Sequence, residues 1–364
     1  MSAVSAHLPD FPWDQLAPAK QRAAAHPDGL IDLSMGAPVD PVPDAVRRAL
    51  ADATDTPGYP LTAGSPALRA AISRWCVRAC RAEPGFGVLP TVGSKELVAW
   101  LPTLLGVGPG DVVVFPEVSY PTYEVGVRLA GATGVRSDAL TAVGPDPRVK
   151  LVWVNSPGNP TGRVLPAAHL RKVVDWARER GAVVASDECY LPLGWEEEPV
   201  SVLDPEVNGG DHRGILAVHS LSKRSNLAGY RAAFVAGDPA IVDELLLVRK
   251  HAGLIVPAPV QAAMVAALDD EAHVAVQRGR YAARRAALRP VLEAAGFRVE
   301  HSTAGLYLWV TRDEPAASTV EWFADRGLLV APGTFYGPGG GRHARVALTV
   351  SDAHTRAAVA RLTA

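Results

Sequence analysis

The chain has 364 residues, a formal net charge of −2 and 48% hydrophobic residues, enough for a large buried core and two domains. Near-neutrality gives no support for nucleic acid or an anionic membrane surface as the main partner. No apolar run approaches the roughly 20 residues of a membrane span, and MSAVSAHLPDFPWDQL lacks the basic-then-apolar pattern of a secretory signal, so a soluble cytoplasmic protein is expected.

The first 30 residues are rich in Pro and Ala and are expected to drape over the body. Cys76 and Cys80 stand four apart in a helical pattern with no matching Cys or His pair nearby in sequence. Buried helix positions are therefore expected for them, and no metal site. Gly93-Ser94-Lys95-Glu96 opens a predicted helix over 94–105. Ser94 there is a natural N-cap, and the free N–H groups of such a start also make an anion site. Gly106-Val107-Gly108-Pro109-Gly110 reads as a loop, not a dinucleotide fingerprint.

A strand at Val112–Phe115 is followed by SYPTY, in which Tyr120 is either a packing aromatic or a face for a planar ring. A strand at 150–154 leads into NSPGNPTG, a turn that holds the amide of Asn159 before Pro160. A helix over 167–180, closed by Gly181, precedes a strand at 182–186 and then SDECY. Asp187 is either a cap or salt-bridge partner, or the acceptor for a protonated ring nitrogen, with Tyr190 placed to bond a phenolate oxygen on the same ring.

Strands at 215–219 and 232–236 flank HSLSKRSNLAGYR. The chain has only six lysines, and one of them, Lys223, sits there between Ser220 and Arg231. Ser220 and Arg231 complete the anion site begun at Ser94, and cationic neighbours with burial favour a neutral, nucleophilic amine at Lys223. The continuously apolar strands alternating with helices predict an α/β domain over 45–255 with a mostly parallel sheet. After Pro257 and Pro259 come helices at 260–268 and 272–295, strands at 297–300 and 306–311, a Gly/Pro loop at 336–341, a strand at 345–349 and a final helix. This is expected to be a smaller α+β domain over 256–364, with 1–44 packing against it.

Taken in order, Tyr59 in GYPLTAG, Gly93-Ser94-Lys95, Tyr120 in SYPTY, Asn159 in NPTG, Asp187-x-x-Tyr190, Ser220-x-x-Lys223, Arg231 and Arg345 resemble the fold-type I pyridoxal-phosphate enzymes, specifically the class I/II aminotransferases. The resemblance implies a large domain with a mostly parallel seven-stranded sheet between helices. It implies pyridoxal 5'-phosphate bound to Lys223 as a Schiff base, with Asp187 on the pyridine nitrogen and Asn159 and Tyr190 on the ring hydroxyl oxygen. Tyr120 would stack on the ring. Gly93, Ser94, Lys95, Ser220 and Arg231 would hold the phosphate, joined by Tyr59 from a neighbouring subunit, so a homodimer with shared active sites is implied. Gly36 and Arg345 would take the substrate carboxylate, with Asn159 also on the substrate side.

YPTYEVG, SDECYLPLGW, RKHAGLIVP and APGTFYGPGG bring the chain nearest to the actinobacterial N-succinyldiaminopimelate aminotransferases. That implies amino transfer between glutamate and an N-succinylated keto acid, whose distal carboxylates call for basic residues; Arg22, Lys95, Arg224 and Lys250 are the candidates. The alternatives are another class I/II aminotransferase (aspartate, aromatic or prephenate type), a C–S β-lyase, or a pyridoxal-phosphate-binding regulatory module.

Overall fold

Apolar β-branched runs build the centre of the protein. In the computed structural model, which describes residues 4–364, the first strand, after three short helical segments, is β1 (Ile31–Asp32). The chain then supplies β2 (Gly87–Val92), β3 (Val112–Phe115), β4 (Thr133–Arg136), β5 (Val149–Asn155), β6 (Val183–Asp187), β7 (Ile215–Ser220) and β8 (Ala232–Gly237). These seven join in the order β2-β8-β7-β6-β5-β3-β4. Pairings from β4 to β7 are parallel, and β8 runs antiparallel to both of its neighbours.

Both faces of this sheet are covered, as its apolar strands require. Side chains alternate, so Val112 and Val114 enter one core while Val113 and Phe115 enter the other. The first core is roofed by the helix Pro66–Cys80, whose N-cap Ser65 accepts the Leu68 N–H at 3.1 Å. Cys76 and Cys80 are buried there. The second is roofed by helices Ser94–Leu104 and Thr122–Ala130. Each fully buried Val or Leu contributes about 1.5–3 kcal/mol.

The five strands of this sheet read from the sequence lie within a residue of their expected places. Two others had no such signal. β2 carries Pro90 and β4 is largely exposed, and both sit at sheet edges, where Pro and polar residues are tolerated.

Downstream, β9 (Arg298–Glu300), β10 (Tyr307–Thr311), β11 (Leu328–Leu329), β12 (Ala331–Pro332) and β13 (Ala344–Ala347) complete the strands. Four form an antiparallel sheet in the order β12-β13-β10-β9, while β11 pairs in parallel with β1. Residues 31–32 are thereby tied to the C-terminal body; the first three residues of the expected 1–44 segment lie outside the described ones. The boundary drawn at 256 is crossed by the packing. Helix Ala258–Asp269 lies against Asp44–Asp52 and Pro66–Cys80 and buries Met264 and Leu268 in the large-sheet core. Among the described residues, no helix is long and apolar enough to cross a membrane.

Candidate active site

The carboxyl ends of β5, β6 and β7 open onto one cleft of about 270 Å3, the place where ligands bind in open α/β sheets. Asp187 ends β6 and Ser220 ends β7, and Lys223 follows on the single turn Leu221–Arg224. Asn159 comes from the loop after β5, Ser94 and Lys95 from a helix start, and Arg345 from β13 of the other body. Gly36, Tyr120, Tyr190 and Arg231 line the same cleft.

Asp187 is buried; its carboxylate accepts the Tyr123 hydroxyl at 2.9 Å and the Cys189 N–H at 3.2 Å. No cationic side chain pairs with it among the described residues, and burial raises its pKa above the ordinary carboxylate value. Lys223 is the complementary case. Its ammonium donates to the Gly36 carbonyl and has no carboxylate partner among the described residues. Burial lowers its pKa; Tyr307 and Cys189 oppose that, while Arg345 and Arg231 add to it. The result is a nucleophilic amine facing a buried acid that lacks a cation.

Arg231 adopts the left-handed conformation (φ 55°), and its guanidinium donates to the Ala228 carbonyl at 2.8 Å. It lies directly over Gly93: a Cβ there would fall 2.1 Å from Arg231 Nη2. Gly93 thus does not line the cleft itself; it leaves room for the guanidinium beside Ser94 and Ser220. Ser220 Oγ accepts the Ser222 N–H at 3.1 Å and keeps its own proton for the cleft. Arg345 is buried and donates to Asn159 Oδ1 at 2.8 Å and to the Ser34 carbonyl at 2.6 Å, under the Tyr307 ring. Its charge meets no carboxylate among the described residues, and its Nε is unpartnered.

The cleft therefore offers an amine, a carboxylate awaiting a cation, and two separate cationic ends for anions. Those are the groups needed to hold pyridoxal phosphate at its aldehyde, ring nitrogen and phosphate, with one arginine left for a carboxylate. The model of the family "Aminotransferase class I and II" matches residues 28–362. The chain belongs to the class I and II aminotransferases. These are pyridoxal-phosphate enzymes of fold type I, as the sequence resemblance implied.

Among similar proteins, "Probable aminotransferase" of Mycobacterium tuberculosis is 62% identical over 99% of this chain and 86% of its own. The 4-dedimethylamino-4-oxo-anhydrotetracycline transaminase of Streptomyces rimosus is 60% identical over 98% of this chain and 99% of its own. A solved structure, a probable N-succinyldiaminopimelate aminotransferase of Thermus thermophilus, superposes with a TM-score of 0.86 at 28% identity, covering 97% of this chain and 99% of its own.

Other sequence candidates of the aminotransferase fall elsewhere. Tyr59 is 98% exposed and does not line this cleft. Arg22 pairs with Asp325 at the surface. Arg224 turns into the core toward Glu271 (3.1 Å), and Lys250 is exposed on the helix Pro239–Ala252. Only Lys95 of the four proposed distal cations lines the cleft, its Nζ 5.6 Å from the Phe11 ring.

Phe11, Trp13 and Tyr307 were missed. Tyr307 contacts Tyr190 hydroxyl to hydroxyl at 3.0 Å and closes over Gly36, where a Cβ would sit 2.0 Å from its oxygen. It lies in an apolar strand run, and Phe11 and Trp13 precede every strand, so neither position carried a periodic signal.

Behind the site, folding brings together residues that the sequence kept apart. His219 Nε2 lies 3.6 Å from Cys80 Sγ and 3.4 Å from Glu188 Oε2. Burial pushes the Glu188 carboxyl up to about 7 from its ordinary 4.5. Between those values the folded state keeps a proton that the unfolded chain has lost. Its contribution is therefore most favourable below about pH 4.5 and declines as pH rises to about 7. Glu188→Gln should flatten the pH dependence of Tm across that window; the loss removed is about 1.4 kcal/mol per pH unit. An unchanged slope would assign the titration to another group.

Proposed function

We propose that the aminotransferase moves an amino group between glutamate/2-oxoglutarate and N-succinyl-2-amino-6-ketopimelate, the succinyldiaminopimelate step of lysine and diaminopimelate synthesis. The observation that carries this reading is Lys95. Once Lys223, Arg231 and Arg345 are given the cofactor and one carboxylate, Lys95 is the cation left over in the cleft. It has no carboxylate partner among the described residues. Burial and the nearby Arg231 lower its pKa, so an incoming distal carboxylate would relieve its isolation.

In this reading Asp187 holds the ring nitrogen, and Asn159 and Tyr190 the ring hydroxyl oxygen. Tyr120 would cover the ring face, and Ser94, Ser220, Arg231 and the backbone of Lys95 would hold the phosphate, with Gly93 leaving room for the guanidinium. Bound there, pyridoxal phosphate supplies an aldehyde to carry the amino group and a protonated ring that withdraws electrons from the substrate's α-carbon. Lys223 moves the proton at that carbon; Arg345, with the Gly36 backbone, orients the α-carboxylate. We also propose two domains, with the N-terminal segment packed on the smaller one.

A second acceptor class, planar polycyclic ketones, is favoured by the aromatic wall of Phe11, Trp13, Tyr120 and Tyr307 and by the Streptomyces rimosus relative. The test is a half-reaction screen that follows conversion of the bound cofactor to its amine form. Glutamate and N-succinyldiaminopimelate should both convert it, and 2-oxoglutarate should restore it. Conversion by glutamate but not by the succinylated amino acid would overturn the acceptor assignment; pyruvate and ammonia released from cystathionine would point to the β-lyase.

Tyr59, far from its own cleft, leads us to propose a homodimer in which it completes the partner's phosphate site. Mixing inactive Tyr59→Ala and Lys223→Ala proteins should restore partial activity, because hybrids contain one intact site. No recovery after subunit exchange would place Tyr59 outside the site.

A further inference from the structure

A second cavity of about 270 Å3 lies between the two bodies, apart from the cleft just described. Its apolar floor comes from Val152 and Val154 of β5 and from Leu165 and Val173, and its far wall from Trp309 of β10 and His343. The Trp309 and His343 rings are stacked 4.8 Å apart at 5°. His343 Nε2 meets Glu300 Oε2 at 2.9 Å, while its Nδ1 is buried without a partner. Arg163, His169 and His301 also line the cavity, and among the described residues their side chains make no hydrogen bond or ion pair. One acid at the rim, Asp138, accepts the Glu117 N–H, and the other, Glu300, is already held by Arg298 and His343.

We propose that this cavity binds a small aromatic carboxylate and that its occupant tightens the substrate-carboxylate clamp. An apolar slot with an aromatic wall, one unpaired guanidinium (Arg163) and two free imidazoles at the rim fits a flat apolar body bearing one negative charge. The coupling is structural. Asn155 lines this cavity and accepts the Asn159 N–H at 2.8 Å. His343 stands two residues before Arg345, which donates to Asn159 Oδ1 at 2.8 Å. An occupant touching both bodies fixes the backbone on either side of the Asn159–Arg345 contact, and linkage then makes it favour the clamped arrangement.

The probe is indole-3-acetate, titrated calorimetrically into the pyridoxal-phosphate enzyme after aminooxyacetate has capped the active-site aldehyde. Saturable binding is expected, weakened about tenfold or more by the double variant Arg163→Ala/His169→Ala and by replacing the probe with the uncharged indole-3-acetamide. In the uncapped enzyme the probe should lower the KM for glutamate about fivefold, an effect lost in the double variant, whose basal kcat is unchanged. No saturable binding to the capped enzyme, or binding that the double variant leaves intact, overturns the site. Binding with an unchanged or raised KM overturns the coupling.

Discussion

Lys223→Ala should abolish the covalent attachment of pyridoxal phosphate and lower kcat by at least about 10³-fold, the upper range for a single group that moves a proton in the transition state. The fold should survive. Among the described residues the side chain makes one hydrogen bond, to the Gly36 carbonyl, and its loss costs about 1 kcal/mol. Because Lys223 is buried without a carboxylate, its removal takes away a costly charge as well as a useful amine. Borohydride reduction followed by peptide mapping is the check. In the parent protein the label should fall on Lys223, and in the variant it should disappear. Among the described residues Lys95 is the only other lysine in the cleft, so a label appearing there in the parent would move the chemistry to that residue.

Asp187→Asn should lower kcat by about 10²–10³-fold, the range for removing one preorganised charge from an active site. Asn keeps the shape: its Oδ1 still accepts the Cys189 N–H, and its Nδ2 can donate to the Tyr123 hydroxyl oxygen where the second carboxylate oxygen accepted, so geometry is held while charge is removed. The cofactor-free variant should be at least as stable as the parent, since the buried carboxylate has no cationic partner among the described residues to offset its desolvation. That pairing of results, lost turnover with retained or raised Tm, separates a role toward the cofactor from a structural one. A variant with kcat within about twofold of the parent removes Asp187 from the ring nitrogen.

Legibility followed local periodicity. β3, β5, β6, β7 and β8 are continuous apolar runs, and the polar residues just past their ends fell into one cleft, so Asp187, Ser220 and Lys223 could be collected before the fold was known. β2 and β4 were silent because edge strands need neither strict apolarity nor the exclusion of Pro. Helix Ala258–Asp269 follows a proline-rich break that reads as a boundary, yet its small apolar face fits the large core better than the small one. The resemblance placed Gly93 at the phosphate; in the structure its missing Cβ instead makes room for the overlying Arg231 guanidinium. The distal end of the cleft was the least legible. Arg224 carries the same charge in sequence as Lys95, but packing against Trp75 and Glu271 takes it into the core. Phe11 and Trp13 sit in short turns whose position depends wholly on contacts with the rest of the protein.

Those turns set the terms on which the enzyme can change its diet. The reacting groups are spread over strand ends whose registers are locked into a covered sheet, so altering one disturbs its neighbours. Phe11 and Trp13 instead reach the cleft from a stretch that adds no strand to either sheet, and Met35 beside them is 45% exposed. Substitution there changes no strand register, although Trp13 packs on the core beneath the smaller sheet. In the proposed reading, part of the choice of what is aminated would thus lie on a stretch of chain separate from the strand ends that carry the reacting groups.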